Sequence, residues 1–299
     1  MLLSLLTMAK KATDMSESAA SYYADQVKKG DPDRYHGALF APRVARDRLL
    51  ALYAFNLEVA RIREVVSEPL LGDIRLQWWR DAIDEIYAGS VGQHEVVAAL
   101  ALAIHSADLP KKLFGQLLEA RGLDLTEMPF ETWPDLVAYM TATSSGLMAL
   151  AAMILTPGAN SGEIHAACQP AGQAWALTGL LRALPYHARR NQIYLPLDLL
   201  DKYRVRQADL LAGRMTPELG RLIRYLAQLA RAELALARPL IRQLGAHTTT
   251  LPAFLPLALC ESYLRRLERP HFDPFTHGPE PALLWRQLRL LWRGLMGRL

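Results

Sequence analysis

Cysteine is scarce in this chain of 299 residues: only Cys168 and Cys260, far apart and outside any CxxC spacing. That excludes a disulfide framework and a cysteine-based zinc site, and it fits a reducing compartment. Long apolar runs are missing as well. Apolar residues make up 51% and charged ones 21%, yet no uninterrupted apolar stretch reaches membrane-spanning length. The excess apolar surface therefore belongs in a large core or on a greasy face. The surplus of positive charge is small, with 34 Lys and Arg against 30 Asp and Glu, a net +4. It favours anionic partners such as phosphate or acidic lipid head groups and is too slight to imply nucleic acid. Strand-like alternation is hard to find anywhere.

Helical periodicity fills the space that these absences leave. From residue 43 onward apolar residues recur at three- and four-residue spacing, as in Leu49, Leu52, Tyr53, Leu57, Ala60, Ile62 and Val66, among helix-forming Ala, Leu, Arg and Glu. Further helices are expected over residues 73–88, 93–106, 110–121, 133–154, 163–183, 216–244, 251–267 and 280–297, separated by Pro and Gly. The fold class is all-α. No linker divides the chain, so residues 31–275 read as one helical domain and residues 276–299 as a C-terminal helix. Residues 1–30 read as a partly disordered leader, with a start at Met8 or Met15 in view.

Two segments are apolar around most of their circumference: "SSGLMALAAMIL" and "CQPAGQAWALTGLLRAL". Such helices are buried in a core or line an apolar cavity. Gly146, Ala149, Ala152, Gly172 and Ala176 leave room beside them for a long apolar ligand.

Three strings carry a resemblance: "YHGALFAPRVARDRLLALYAFN", "RLQWWRDAIDEIYAG" and "LTGLLRALPYHARRNQIYLPLDLL". In order and content they resemble the squalene and phytoene synthases, from about Tyr35 to Leu200 and more weakly to about residue 270. The resemblance implies an isoprenoid (terpenoid) synthase helical bundle around a central apolar cavity. It also implies an enzyme that joins two prenyl diphosphates head to head. That chemistry uses magnesium ions held by two acidic clusters on facing helices, which neutralise the departing diphosphate.

Both clusters are emptied here. Where the family places an aspartate pair and a third acid, this chain reads "YAFNLEVARIRE", with Ala60 and Arg61 at the pair and only Glu64 acidic. Where the second pattern needs acids, Ala183, Tyr186 and His187 stand, and no acid occurs between Ile164 and Leu197. Pro185 is expected to bend or end its helix. The strings "AFNLEVARIREVVSE" and "LLRALPYHARRNQIYLPLD" look like the divergent branch of NADH:ubiquinone oxidoreductase (complex I) assembly factor 6 and its bacterial relatives, which lacks the aspartate motifs. That implies an assembly or binding role, with a prenyl or other lipid-like ligand, complex I subunits as partners, and a place in the cytoplasm at the inner membrane. Magnesium is expected only under the alternative, an active prenyltransferase acting on farnesyl or geranylgeranyl diphosphate; otherwise no cofactor and no metal site is expected.

The candidate anion or head-group site comprises Arg46, Tyr53, Glu64, Arg182, His187, Arg189, Arg190 and Tyr194, because guanidinium donates bidentately to phosphate without a metal. Arg189 and Arg190 fit a solvated turn equally well. Arg182, inside an apolar helix, needs a partner if buried, and Glu64 is one possibility. Trp78 and Trp79 read as core aromatics beside a solvated face carrying Asp81, Asp84 and Glu85. The hydroxyls of Thr141, Thr143, Ser144 and Ser145 have no nearby acid or histidine in sequence to make them nucleophiles. The last segment, "LLWRQLRLLWRGLMGRL", is a basic amphipathic helix suited to an anionic membrane surface through Trp285, Arg286, Arg289, Trp292 and Arg293. A terminal helix laid on the bundle is the other reading.

Overall fold

The computed structural model describes residues 22–128, 130–245, 249–269, 271–278 and 281–297, and among them there is no strand. Helix α1 covers residues 22–30. Then come α2 (Pro32–Ala38), α3 (Arg43–Ala60), α4 (Ile62–Val65), α5 (Pro69–Tyr87), α6 (Glu95–Ala107) and α7 (Lys111–Gly122). A 3₁₀ turn, Leu123–Leu125, leads to α8 (Trp133–Met140), a π turn (Thr141–Ser145) and α9 (Gly146–Leu155). Helix α10 (Ser161–Arg189) is followed by α11 (Leu197–Tyr203), α12 (Gln207–Leu211) and α13 (Pro217–Gln243). The chain closes with α14 (Leu251–Phe254), a 3₁₀ turn (Leu255–Leu259), α15 (Cys260–Leu267) and α16 (Leu283–Met296).

Local chemistry sets the ends. The Asn160 side chain accepts from the Gly162 amide at 2.9 Å and starts α10, and Thr216 Oγ1 accepts from the Leu219 amide at 3.2 Å with Pro217 next, starting α13. Helix α10 is the spine. Its first half joins α3, α6, α7 and α9 in one buried cluster and its second half joins α8, α11 and α13 in another. Packing on both halves overrides the local breaker. The helix continues through Pro170 and Pro185 to Arg189, where an end or bend is expected at Pro185.

The π turn is held against α10 from both sides. Gln173 Nε2 donates to Thr141 Oγ1 at 3.0 Å and Ser145 Oγ donates to the Gln169 carbonyl at 2.8 Å. Gly172 lies so close that an added Cβ would sit 2.3 Å from Ser145 Cα. Ala149, Ala152 and Gly172 thus serve close helix packing in the core, whereas Gly146 lines a hollow of about 810 Å³ beside α7 and α10 and Ala176 borders a second hollow between the ends of α3 and α10.

Other expectations are adjusted. Residues 22–30, placed in the leader by sequence, are helical, with Tyr23 and Val27 in the core; residues 1–21 of that leader lie outside the described residues. Trp79 is core, stacked edge-on against Phe55, whereas Trp78 is 45% exposed. Residues 133–155 form one stretch long and apolar enough to cross a membrane, and most of it is buried within the bundle. Its interspersed Thr and Ser hide it from a search for an uninterrupted apolar run.

Candidate functional site

The ends of α3 and α10 face each other across a cleft of about 250 Å³. The two emptied patterns meet there. Ala60 and Glu64 line it from one side, and Ala183, Tyr186 and His187 from the other. The Tyr186 hydroxyl donates to Glu64 Oε1 at 2.6 Å, joining the single surviving acid of the first pattern to a replacement in the second. Burial pushes the Tyr186 phenol up to about 12, and the bond to Glu64 adds to the rise, so tyrosine is a neutral donor here. Arg190 stacks over the Tyr186 ring at 5.4 Å and reaches the Arg63 carbonyl at 3.5 Å.

The opposite wall is a buried network that sequence reading missed. Asp124, in the 3₁₀ turn, accepts on Oδ1 from Tyr139 at 2.7 Å and from Tyr194 at 2.8 Å. Its Oδ2 accepts from Arg121 Nη1 at 2.9 Å. Gln192 Nε2 donates to the Asp124 carbonyl at 3.1 Å. A carboxylate satisfied this fully is fixed in place and has little left to offer a ligand. His187 packs its ring 4.3 Å from that of Tyr194. Burial, with Arg190 adding and Asp124 opposing, lowers it from 6.5 to about 4, so it stands neutral at physiological pH.

Several buried polar atoms of the cleft have no partner: Asn56 Oδ1, Arg63 Nε, Arg121 Nε, Ser144 Oγ and His187 Nδ1. Arg34 lines the same space. Unpaired buried polar atoms converging on one hollow fit a ligand or water better than a dry core. The donor set does not fit magnesium, which needs about six oxygens in near-octahedral array. Of the two carboxylates, Asp124 is occupied by three donors and Glu64 by Tyr186, with Arg61 at 3.9 Å. Among the described residues no group of three or more His, Cys, Asp or Glu is placed to hold a metal ion. Four arginines in and around the cleft suit an anion instead.

The remaining candidate residues lie elsewhere. Arg46 donates to the carbonyls of Leu39 and Ala41 at 3.0 and 3.1 Å and ties α2 to α3. Tyr53 is buried in the core, beneath the Arg34 guanidinium at 5.8 Å. Arg182 turns away from Glu64. It sits 3.8 Å over the Tyr263 ring and 3.7 Å from Asp33 Oδ2. Arg189 is exposed, so the adjacent arginines divide, with Arg190 in the cleft and Arg189 in solvent. Arg286, expected at a membrane, is buried and binds Asp33 at 3.3 Å and the Tyr263 hydroxyl at 3.0 Å. Glu58 pairs with His94 at 3.7 Å, and Asp84 with Lys111 at 3.0 Å.

Comparison with known proteins agrees with this architecture. The squalene/phytoene synthase profile matches residues 27–292. The mouse NADH dehydrogenase (ubiquinone) complex I assembly factor 6 is 28% identical over 256 residues, which cover 85% of this chain and 75% of that one. The phytoene synthase of Arthrospira platensis is 29% identical, with 81% of each chain covered. A ligand-bound dehydrosqualene synthase crystal structure superposes with a TM-score of 0.80 at 18% identity, covering 94% of this chain and 97% of that one. The isoprenoid synthase fold is thereby common to both. The chain belongs to the squalene/phytoene synthase family.

Proposed function

We propose that this protein keeps the prenyl-synthase fold without prenyl transfer, and that it binds the anionic head group of a prenyl or other lipid-like ligand, or a protein partner, in respiratory complex I assembly. The work is placed in the cytoplasm at the inner membrane. One observation carries the reading. Where the family pattern places its magnesium carboxylates this chain has Ala60, Arg61, Ala183, Tyr186 and His187, and the one remaining acid there is tied to Tyr186 at 2.6 Å. A diphosphate leaving group needs its developing charge neutralised, and arginine without a metal serves binding more readily than departure. The similarity to complex I assembly factor 6 supports the assembly role.

The reading is tested by incubating the purified protein with labelled farnesyl or geranylgeranyl diphosphate and magnesium. No hydrocarbon product is expected, while deletion of the gene in its host lowers assembled complex I. The second reading, a working head-to-head prenyltransferase, draws on the similarity to phytoene synthase. Turnover to squalene or phytoene that Glu64→Gln abolishes would establish it and overturn the first.

A further inference from the structure

Helix α16 is clamped to the bundle on one side and bare on the other. Arg286 reaches the buried Asp33, Leu290 is buried, and Gly294 sits against Phe40 so closely that an added Cβ would meet the ring at 2.3 Å. The outward face holds Leu284, Leu288, Leu291, Trp292 and Leu295, all between 48% and 73% exposed. Leu284, Leu288, Leu291 and Leu295 follow the three- and four-residue spacing of a single stripe. An apolar face this continuous, on a helix already anchored, is unusual for a surface that meets only water.

Its surroundings are cationic. Arg289 is held by the Ala258 carbonyl at 2.8 Å, its guanidinium 5.3 Å over the Trp285 ring. Arg293 and Arg265 stand near enough to depress it further, behind the effect of burial. At the start of α16 a hollow of about 440 Å³ beside Leu283 is lined by Lys28 and Lys29, both exposed. Three neighbouring carboxylates are engaged, Asp31 with Arg34 at 2.6 Å, Asp33 with Arg182 and Arg286, and Glu261 with Arg231 and Arg265, while Asp25 is exposed beside Lys28 and Lys29. No acid occurs between residues 281 and 299.

We propose that the bare face of α16, bordered by Lys28, Lys29, Arg289 and Arg293, docks onto the surface of an anionic bilayer. The leucine stripe and Trp292 enter the head-group boundary, and the basic residues lie at phosphate level. Charge complementarity selects this occupant: an apolar stripe with basic borders matches acidic lipid. Arg286 serves as the internal anchor that fixes the helix for docking and makes no lipid contact. The inference deepens the membrane placement proposed above and does not depend on the cleft.

Full-length protein is sedimented with vesicles of phosphatidylcholine alone and with vesicles of equal parts phosphatidylcholine and phosphatidylglycerol. Binding to the anionic vesicles is expected, falling at least about tenfold in Leu288→Glu/Leu295→Glu and about fivefold per lysine in Lys28→Gln/Lys29→Gln. Circular dichroism checks that these variants at exposed positions stay folded. Equal binding to neutral vesicles, or undiminished binding by the Leu288→Glu/Leu295→Glu variant, overturns the proposal. So does a dimer that this variant dissociates while vesicle binding persists, since a second copy would then cover the face. Pyrophosphate binding in the cleft is expected to be unchanged in both variants. Its loss in Arg63→Gln/Arg190→Gln with vesicle binding intact keeps the cleft and membrane readings separable.

Discussion

Two buried polar clusters lie beside α10, one reached by its Arg182 and the other by its His187, and the two are built to opposite ends. On one side Asp33 draws Arg182, Arg286 and Tyr263 together and so joins α2, α10, α15 and α16. On the other Asp124 gathers Arg121, Tyr139 and Tyr194, but the wall they form opens onto a cleft where Arg63, Asn56, Ser144 and His187 keep unpaired atoms. The first cluster uses charge for architecture. The second uses it to fix the wall of the cleft proposed to bind an anion. Arg182 is tied through Asp33 to α2 and α16, while its neighbours Ala183 and His187 face the cleft.

If the Asp33 side is architectural, removing it has the largest effect on stability. Asp33→Ala leaves two arginines without their shared carboxylate and is expected to cost about 3–5 kcal/mol, read as a fall in the urea midpoint with α16 becoming susceptible to protease. Burial raises the Asp33 carboxyl above its ordinary range despite the two arginines, which marks how costly this site is to leave unpaired.

On the cleft side the expected signature is a pH effect. Because His187 is held neutral down to about 4 against 6.5 when unfolded, the unfolded chain takes up a proton first as pH falls. Stability is therefore full above about pH 6.5 and is lost progressively toward pH 4, by up to roughly 3 kcal/mol. Unfolding titrations of wild type and His187→Asn across this range check it; equal slopes would remove His187 from the account. The smallest effect sharpens the contrast between neighbours. Arg189→Gln is expected to change stability by less than about 0.5 kcal/mol and leave pyrophosphate affinity alone, whereas Arg190→Gln weakens that affinity about tenfold or more; calorimetry compares the two.

Much of this was legible from sequence. The segments expected at 133–154 and 216–244 match Trp133–Leu155 and Pro217–Gln243 to within a residue at each end, because periodicity and capping agree there. Of the emptied acid positions, Ala60, Ala183, Tyr186 and His187 line one cleft and Arg61 does not; the order of the family strings carries the relation of the four. Other features depend on which way a side chain turns. Arg182 and Arg190 look alike in sequence, yet one faces Asp33 and the other Arg63. Asp124 sits in a short 3₁₀ turn with no motif, and its partners come from residues 121, 139 and 194. Of these only Tyr194 is a candidate from sequence. Arg286 shares the basic pattern of α16 and is set apart only by Asp33, distant in sequence. Trp78 and Trp79 are adjacent, and a helix must point them about 100° apart.

In the proposed function the cleft holds an anion through arginine and without magnesium. Titration calorimetry with inorganic pyrophosphate, in EDTA and again in excess magnesium, tests it most directly. Binding in EDTA is expected, not tightened by magnesium and abolished in Arg63→Gln/Arg190→Gln. Binding that appears only when magnesium is added, and disappears in Glu64→Gln, would contradict it.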